Sequence, residues 1–121
     1  MGLDMYACTT SKNIRAVDFR EPKDATILFY WRKHPNLHGW MQALYKKKGG
    51  KYQEFNLVPV HLDGGDIDEL EEAVKANELP LTAGFFFGIS RPEEKDRTLT
   101  FILLAREAIA SRKRVFYHAW W

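Results

Sequence analysis

The sequence predicts a single α+β domain over residues 1–121, in which a mainly antiparallel sheet of about three to five strands packs with three helices. Three observations support this fold class. The length of 121 residues suits one domain. Segments with alternating apolar residues and segments with apolar residues at helical spacing occur in the same chain. The first two predicted strands and the last one are not separated by regular crossover helices, which disfavours a parallel sheet.

The composition excludes several classes of protein. Hydrophobic residues make up 45% of the chain and aromatic residues 14%, which is enough to bury a core and excludes a disordered chain. Cys8 is the only cysteine, which excludes a disulfide scaffold. No apolar run approaches the roughly 18–20 residues that span a bilayer, and the start of the chain lacks a signal-peptide pattern. We therefore expect a cytoplasmic protein with no membrane partner.

The first half of the chain predicts two strands and a helix. Gly2–Thr9 alternates apolar and polar side chains, as half-buried strands do. After an irregular connection over Thr10–Asp24, the apolar run Ala25–Trp31 has the length of a central strand covered on both faces. Apolar residues then recur at helical spacing over Leu37–Tyr45, which predicts a helix with Trp40 in the centre of its buried stripe.

The middle of the chain predicts an edge strand and a second helix. Tyr52–Leu62 is strand-like, but Pro59 cannot donate to a ladder, so the strand lies at a sheet edge or ends near that proline. Asp66 and Glu69 form a capping pattern ahead of an apolar stripe. This pattern predicts a helix that ends before Pro80.

The last third of the chain predicts a long helix and a final strand. Ser90 and Glu93 form another capping pattern, and apolar residues continue at helical spacing to about Lys113. Val115–Trp120 is then rich in aromatic and β-prone residues. We expect both terminal strands to belong to the same sheet as Ile27–Trp31, because one sheet must cover the apolar faces of the three helices.

The segment from Trp31 to His38 carries the richest chemistry in the chain. It places Arg32 and Lys33 at a junction between a predicted strand and a predicted helix, with Asn36 positioned to cap the helix. Helix starts offer unpaired backbone N–H groups and a positive dipole end, so the segment predicts a site for a phosphate or a carboxylate. In the alternative interpretation, both cations are solvated or pair with carboxylates, and Asn36 only caps the helix.

Dispersed polar residues can also assemble into an acid/base site. Strand alternation brings Asp4 and His118 together if the terminal strands are neighbours, and His38 is predicted on the polar flank of its helix. Cys8 is more typical of a small core residue than of a nucleophile. The predicted ligand-binding residues are Asp4, Trp31, Arg32, Lys33, Asn36 and His38, and the catalytic candidates are Asp4, Arg32, Lys33, His38, His61 and His118.

The sequence predicts neither a metal site nor a cofactor. His34 and His38 have the spacing of two ligands on one helix face, but Pro35 keeps His34 out of the helix. The chain has no HExxH motif and no cysteine pair. The acidic residues in Asp63–Glu69 lack the spacing of an EF-hand, and helix capping explains them better.

Aromatic residues predict a candidate interaction surface. The three consecutive Phe residues within Gly84–Gly88 must point in at least two directions, so one of them, assigned to Phe86, lines the surface. Trp121 is the second exposed candidate. The tryptophans and phenylalanines also suit stacking on single-stranded nucleic acid, but most of them are needed for the core.

Several segments of the chain match motifs of one family. These are the opening Met1–Tyr6, the block Tyr30–Trp40, the pair Leu79–Pro80 with Gly84–Gly88, and the aromatic ending Phe116–Trp120. With them the chain resembles a family of small phage- and prophage-encoded proteins that start MGLDMY and carry YWRKxNxLHxW and SGFFFG motifs. The resemblance implies an origin in a phage or prophage and action inside an infected bacterium, and it implies no particular reaction.

Three classes of function remain open. We favour a phage accessory protein in the cytoplasm of the infected cell that inhibits or sequesters a host protein or a small anionic or nucleotide ligand. The first alternative is a small enzyme that acts on a phosphorylated or nucleotide substrate through Asp4, Arg32, Lys33 and His38. The second alternative, a nucleic-acid binder, is not favoured. Binding is preferred to catalysis because the sequence shows no nucleophile–base pair, metal set or phosphate loop.

Overall fold

The structure, a computed structural model, describes residues 2–84 and 87–121. Over these residues the chain forms a four-stranded antiparallel sheet and three helices, which confirms the predicted fold class and element order. The elements are β1 (Asp4–Thr10), β2 (Thr26–Arg32), α1 (Pro35–Lys47), β3 (Val60–Leu62), α2 (Gly64–Lys75), α3 (Glu94–Ala110) and β4 (Arg114–Trp120).

The two strands nearest the chain ends form the centre of the sheet. The strand order is β2-β1-β4-β3, and each neighbouring pair is antiparallel. β1 and β4 pair along their whole length, from Asp4 opposite Trp120 to Thr10 opposite Arg114. The prediction that both terminal strands share a sheet with Ile27–Trp31 is confirmed.

β2 lies at the edge of the described sheet, so the prediction of a central strand covered on both faces is wrong. Its burial reflects the edge position: Trp31 is fully buried, whereas Ile27 and Tyr30 are exposed. An apolar run shows that a segment prefers extended, partly buried backbone. The pairing order of the strands, which depends on the whole fold, decides whether that segment is central or peripheral.

The three helices pack on one face of the sheet, which we call the helix-covered face. The core there joins Met5, Ala7, Trp31 and Tyr117 of the strands to apolar residues of all three helices, such as Leu37, Ile67 and Phe101. Because side chains alternate along a strand, the opposite face carries their sequence neighbours. We call this the open face, and its residues are Asp4, Tyr6, Cys8, Tyr30, Arg32, Phe116, His118 and Trp120.

Part of the open face is covered by the connection between β1 and β2. The Phe19 ring lies edge-on to Phe116, with ring centroids 5.4 Å apart. Val17 of the same connection forms a bridge with Val60 of β3. The covering buries Cys8 and Phe116, although both project away from the helices.

The first helix begins one residue earlier than its predicted cap. His34 occupies the N-cap position, so the prediction that Asn36 caps the helix is wrong. Pro35 follows as the first helical residue, where its fixed φ and missing N–H are tolerated. Trp40 is only half-buried, so its predicted place at the centre of the buried stripe is also wrong. Gly49, at φ +94°, ends the turn that follows the helix.

β3 and α2 differ from their predicted starts. β3 has three residues and begins after Pro59, so the predicted strand over Tyr52–Leu62 is far too long, although its edge position is confirmed. α2 is capped by Asp63, whose side chain accepts from the Asp66 backbone N–H, while the Asp66 carboxylate accepts from the Asp63 N–H. The predicted Asp66–Glu69 cap is therefore three residues too late, because two overlapping acidic patterns satisfy the same rule. The helix ends before Pro80, as predicted.

α3 begins later than its sequence pattern predicts. Glu93 occupies the N-cap position, and in the described chain its side chain makes no capping hydrogen bond. The predicted Ser90–Glu93 cap is therefore wrong. The helix ends at Ala110 rather than near Lys113. It is the longest helix in the described residues, at 17 residues, and none of the described helices is long and apolar enough to cross a bilayer.

Candidate ligand site

The residues predicted to bind a ligand do not form one cluster. Asp4 and Arg32 lie on the open face, where Asp4 Oδ1 accepts from Arg32 Nη1 at 3.1 Å and from the Tyr30 hydroxyl at 2.6 Å. The Arg32 side chain is half exposed. These contacts match the alternative interpretation, in which this cation pairs with a carboxylate.

Trp31 and His38 lie on the other side of the sheet and are fully buried. The Trp31 ring packs on Phe101, with centroids 5.0 Å apart. His38 is covered by Phe55, whose ring stacks on it at 5.0 Å, so its predicted place on a polar flank is wrong. The spacing of residues in α1 places His38 on the polar side of that helix. The loop that carries Phe55 covers this side in the fold, which the spacing does not show.

The buried His38 pairs with a tyrosine rather than with a charged group. Its Nδ1 lies 2.8 Å from the Tyr117 hydroxyl. Burial lowers the pKa of His38 to about 4 and raises the pKa of Tyr117, so both groups are neutral near pH 7. The pair is a hydrogen-bonded element of the core, in which burial has favoured the uncharged form of each group.

Lys33 forms the turn between β2 and α1. Its φ is +57°, and its backbone N–H donates to the Leu3 carbonyl at 2.8 Å. The Lys33 side chain passes close to Gly88 and Gly2. A Cβ atom added to Gly88 would lie 3.1 Å from the Lys33 Cδ, and a Cβ atom added to Gly2 would lie 3.1 Å from the Lys33 Cε. Lys33 thus has a positioning role at the strand-to-helix junction.

The start of α1 is held by a residue 54 positions away in the sequence. Ser90 Oγ accepts a hydrogen bond from the Asn36 backbone N–H at 3.0 Å, which is the role an N-cap side chain usually fills. The same oxygen lies 2.7 Å from His34 Nδ1. The Asn36 side chain in turn accepts from the Thr82 backbone N–H at 3.0 Å, which ties Thr82 to the helix.

A cavity of about 350 Å³ opens beside this network, and we call it the His34 cavity. It lies between the start of α1, the end of α2 and the start of α3. Apolar side chains, including Val74 and Leu79, form part of its wall. Its polar lining consists of His34, Asn36, Asn77, Ser90, Arg91, Lys95 and Thr98.

Two polar atoms of the lining residues lack a hydrogen-bond partner within the described chain. They are His34 Nε2 and Thr98 Oγ1, and both are buried. The Ser90 oxygen accepts from the Asn36 N–H, and because a hydroxyl has a second lone pair as well as a proton, it can either donate to His34 Nδ1 or accept from it. Thr98 is 0% exposed and His34 only 4%, so both atoms lie behind the surface of the cavity and not on it. Their missing hydrogen bonds are a cost to the folded chain.

The electrostatics of the cavity favour a negative ligand. Its charged lining residues are Arg91 and Lys95. Lys95 Nζ donates to the Asn77 side chain at 3.2 Å and to the Lys75 carbonyl at 3.4 Å, and both acceptors are neutral, so an anion is a stronger acceptor for it. Burial, and then the positive charge of Arg97, lower the pKa of His34 to about 4, so the ring is neutral near pH 7.

The other catalytic candidates lie apart from the cavity. His61 is half-buried on the edge strand β3, where burial and then Lys48 lower its pKa. His118 lies on the open face opposite Tyr6, two residues along the strand from Asp4, so Asp4 and His118 share a face but are not paired. Cys8 is buried, and burial followed by the charge of Glu21 raises its pKa to about 12, which is the opposite of what a nucleophile requires.

The two aromatic candidates for an interaction surface have different outcomes. Phe86 lies outside the described residues. Trp121 is half-buried, with its indole N–H donating to the Phe55 carbonyl at 3.2 Å and its ring 5.1 Å from that of Phe87. Trp121 therefore closes one end of the core beside His38.

Comparisons of the chain with protein-family models, with curated protein sequences and with solved structures find no match. The candidate site consequently rests on the geometry and chemistry of its own residues.

The sequence pointed to the correct junction but to the wrong residues. Asn36 is the only member of the predicted ligand set in the cavity lining. Ser90 was assigned to a helix cap, and Arg91, Lys95 and Thr98 carried no motif. Lys95 and Thr98 have the i, i+3 spacing of one helix face, but nothing in the sequence shows that this face meets the start of α1.

Proposed function

We propose that the protein binds a small anionic molecule in the His34 cavity. The observation that carries the proposal is a cavity of about 350 Å³ whose charged lining residues, Arg91 and Lys95, are both cations. A ligand with a phosphate or carboxylate group supplies acceptors for these two cations.

The size of the cavity favours a small molecule over a macromolecule. A volume of about 350 Å³ lies at the lower end of the range for small-molecule sites. The apolar wall formed by Val74 and Leu79 gives the non-charged part of a ligand a surface to pack against. From the sequence resemblance we also propose that the ligand is a metabolite or nucleotide of an infected bacterium, which the protein sequesters in the cytoplasm.

The hydrogen bond that the Ser90 hydroxyl already accepts favours binding over catalysis. Ser90 and His34 are within the distance of a nucleophile–base pair, at 2.7 Å. The serine oxygen, however, already accepts from the Asn36 backbone N–H, which reduces its nucleophilicity and fixes it as a helix cap. An enzyme acting on a phosphorylated substrate is therefore the weaker alternative.

A thermal-shift screen of nucleotides, sugar phosphates and inorganic anions tests the proposal. A ligand that binds only the folded state at one hundred times its Kd stabilises the protein by about 2.7 kcal/mol. We expect such a shift in the wild type and its loss in Lys95→Gln and Arg91→Gln, which remove the charge of a lining residue and keep a polar side chain there.

Arg32→Ala is the matched control for this screen. It removes a half-exposed cation that lies on the open face and is not part of the cavity lining, and we expect it to keep the full ligand shift. If no anion stabilises the wild type, or if Arg32→Ala loses the shift while Lys95→Gln keeps it, the assignment of the His34 cavity is wrong.

A further inference from the structure

A second group of polar side chains lies on the open face of the sheet, on the other side from the helices. Cys8 Sγ is 3.8 Å from His118 Nε2, and Glu21 Oε1 is 3.5 Å from the same nitrogen. The sulfur, nitrogen and oxygen atoms all lie within 4.8 Å of one another. We call these three residues the Cys8 cluster.

The two central strands and one loop position this cluster. Cys8 of β1 is opposite Phe116 of β4, so His118, two residues further along β4, projects from the same face. The Tyr6 ring stacks on the His118 ring, with centroids 5.4 Å apart, and restricts its orientation. Glu21 comes from the β1–β2 connection, which is anchored nearby by the packing of Phe19 on Phe116.

One ring nitrogen, His118 Nε2, cannot make its best hydrogen bond with the Cys8 thiol and with the Glu21 carboxylate at the same time. If His118 Nε2 carries a proton, it can donate to Glu21, but it then has no lone pair to accept the Cys8 thiol proton. If Nε2 is unprotonated, it accepts from the thiol, but its lone pair then faces the Glu21 carboxylate. Both contacts are also long for hydrogen bonds of their type. A positive ion among the three atoms accepts a lone pair from each of them.

Two of the three separations fit a tetrahedral metal site. Usual zinc–sulfur, zinc–nitrogen and zinc–oxygen bond lengths place neighbouring ligand atoms about 3.4–3.6 Å apart. The sulfur–nitrogen and nitrogen–oxygen distances of 3.8 and 3.5 Å are close to these values. The sulfur and oxygen atoms lie within 4.8 Å of each other, and rotation of the exposed Glu21 side chain can bring its oxygen closer to the sulfur. A small cavity of about 170 Å³, lined by Glu21, His118, Leu57 and Phe116 among others, adjoins the cluster and leaves room for a fourth ligand.

We propose that Cys8, Glu21 and His118 bind one zinc ion through Sγ, Oε1 and Nε2, with a fourth position open to water or a small ligand. The mixture of one thiolate, one imidazole and one carboxylate suits zinc, whereas magnesium and calcium prefer oxygen ligands. On binding, the Cys8 thiol releases its proton to solvent and the thiolate forms the sulfur–zinc bond. This site is independent of the His34 cavity.

Cobalt substitution tests the proposal with a spectroscopic signal. Cys8 is the only cysteine in the chain, so a thiolate-to-cobalt charge-transfer band can arise only from this residue. We expect the reduced protein to bind one Co²⁺ per chain with this band and with the visible bands of four-coordinate cobalt, and we expect Zn²⁺ to displace it. If titration of the reduced wild type produces no charge-transfer band, the proposal is wrong.

Two variants test the other ligands. Glu21→Gln changes an exposed side chain and is compatible with folding, and we expect it to weaken Co²⁺ binding at least about tenfold. His118→Gln should weaken binding at least as much. The matched controls are Glu72→Gln and His61→Gln, which remove a carboxylate and an imidazole outside the cluster and should keep wild-type affinity. Unchanged affinity in both Glu21→Gln and His118→Gln would overturn the assignment.

Discussion

Tyr117 and His118 are neighbours in β4, yet they lie in opposite environments. Tyr117 projects under the helices and pairs with the buried His38, among aromatic rings and away from any charged partner in the described chain. His118 projects from the open face and meets the Cys8 thiol and the Glu21 carboxylate. The comparison teaches that one strand can supply a packed neutral pair on one face and an ion-binding arrangement on the other.

The physical difference between the two faces is the availability of counter-charges. Burial alone lowers the pKa of His38, whereas for His118 the lowering by burial is opposed by the negative charge of Glu21. On the open face, Asp4 likewise gathers the Tyr30 hydroxyl and the Arg32 guanidinium. Charged groups are retained where solvent remains close, and the helix-covered face keeps neutral ones.

The largest expected effect is the difference in stability loss between substitutions of two successive residues of β2, one on each face of the sheet. Trp31→Ala removes a fully buried ring from the helix-covered face, so we expect a loss of about 3–5 kcal/mol in the free energy of unfolding. Tyr30→Ala on the open face should cost about 1–2 kcal/mol, since the ring is partly exposed and loses one hydrogen bond and its contact with Tyr6. Urea denaturation measures both values.

A loss of that size approaches the whole stability of many small domains. If Trp31→Ala does not fold, Trp31→Phe keeps most of the packing and should give a measurable intermediate loss. Equal losses for the Trp31 and Tyr30 variants would contradict the assignment of the two faces.

A smaller effect is expected from Tyr117→Phe. The change removes only a hydroxyl but leaves His38 Nδ1 without its partner inside the core, which should cost about 1–3 kcal/mol. The double variant His38→Leu with Tyr117→Phe removes both polar groups, so it should be more stable than the sum of the single losses predicts. Additive losses, measured by urea denaturation, would show that the pair is not coupled.

The smallest effect that we expect is a change in the free energy of unfolding with each unit of pH. The pKa of His38 is about 4 in the folded chain, below its ordinary value near 6.5, so between these values the unfolded chain binds a proton that the folded chain excludes. Stability should therefore fall as pH falls from about 6.5 toward 4, by about 1.4 kcal/mol per pH unit from this histidine at full slope. His34 contributes in the same direction.

The slope of the free energy of unfolding against pH, measured between pH 6.5 and 5, shows how much of the pH dependence comes from His38. We expect His38→Gln to reduce the slope, measured by urea denaturation at several pH values, by close to one proton. Arg32→Ala on the open face removes no histidine and should keep the wild-type slope. A variant lacking His38 with an unchanged slope would mean that this ring binds protons equally in the folded and unfolded chain, so that burial does not lower its pKa.

Helix starts show clearly where the sequence was insufficient. All three predicted caps were wrong, although all three helices were correctly located. Capping patterns recur every few residues in a charged chain, as with Asp63 and Asp66, so a local rule permits more than one start. At α1 the real partner of the exposed N–H is Ser90, which is distant in sequence and close only in the fold.

The sequence by itself determined the fold class, the element order and the location of each element, because apolar periodicity and β-propensity are local properties that neighbouring residues define. The tertiary structure alone decided that β2 is an edge strand, that His38 is buried, and which polar side chains meet. The His34 cavity combines residues at the ends of α1, α2 and α3 with Leu79 and Ser90, and the Cys8 cluster combines β1, β4 and a loop. Both depend on contacts between distant segments, which no local pattern of residues encodes.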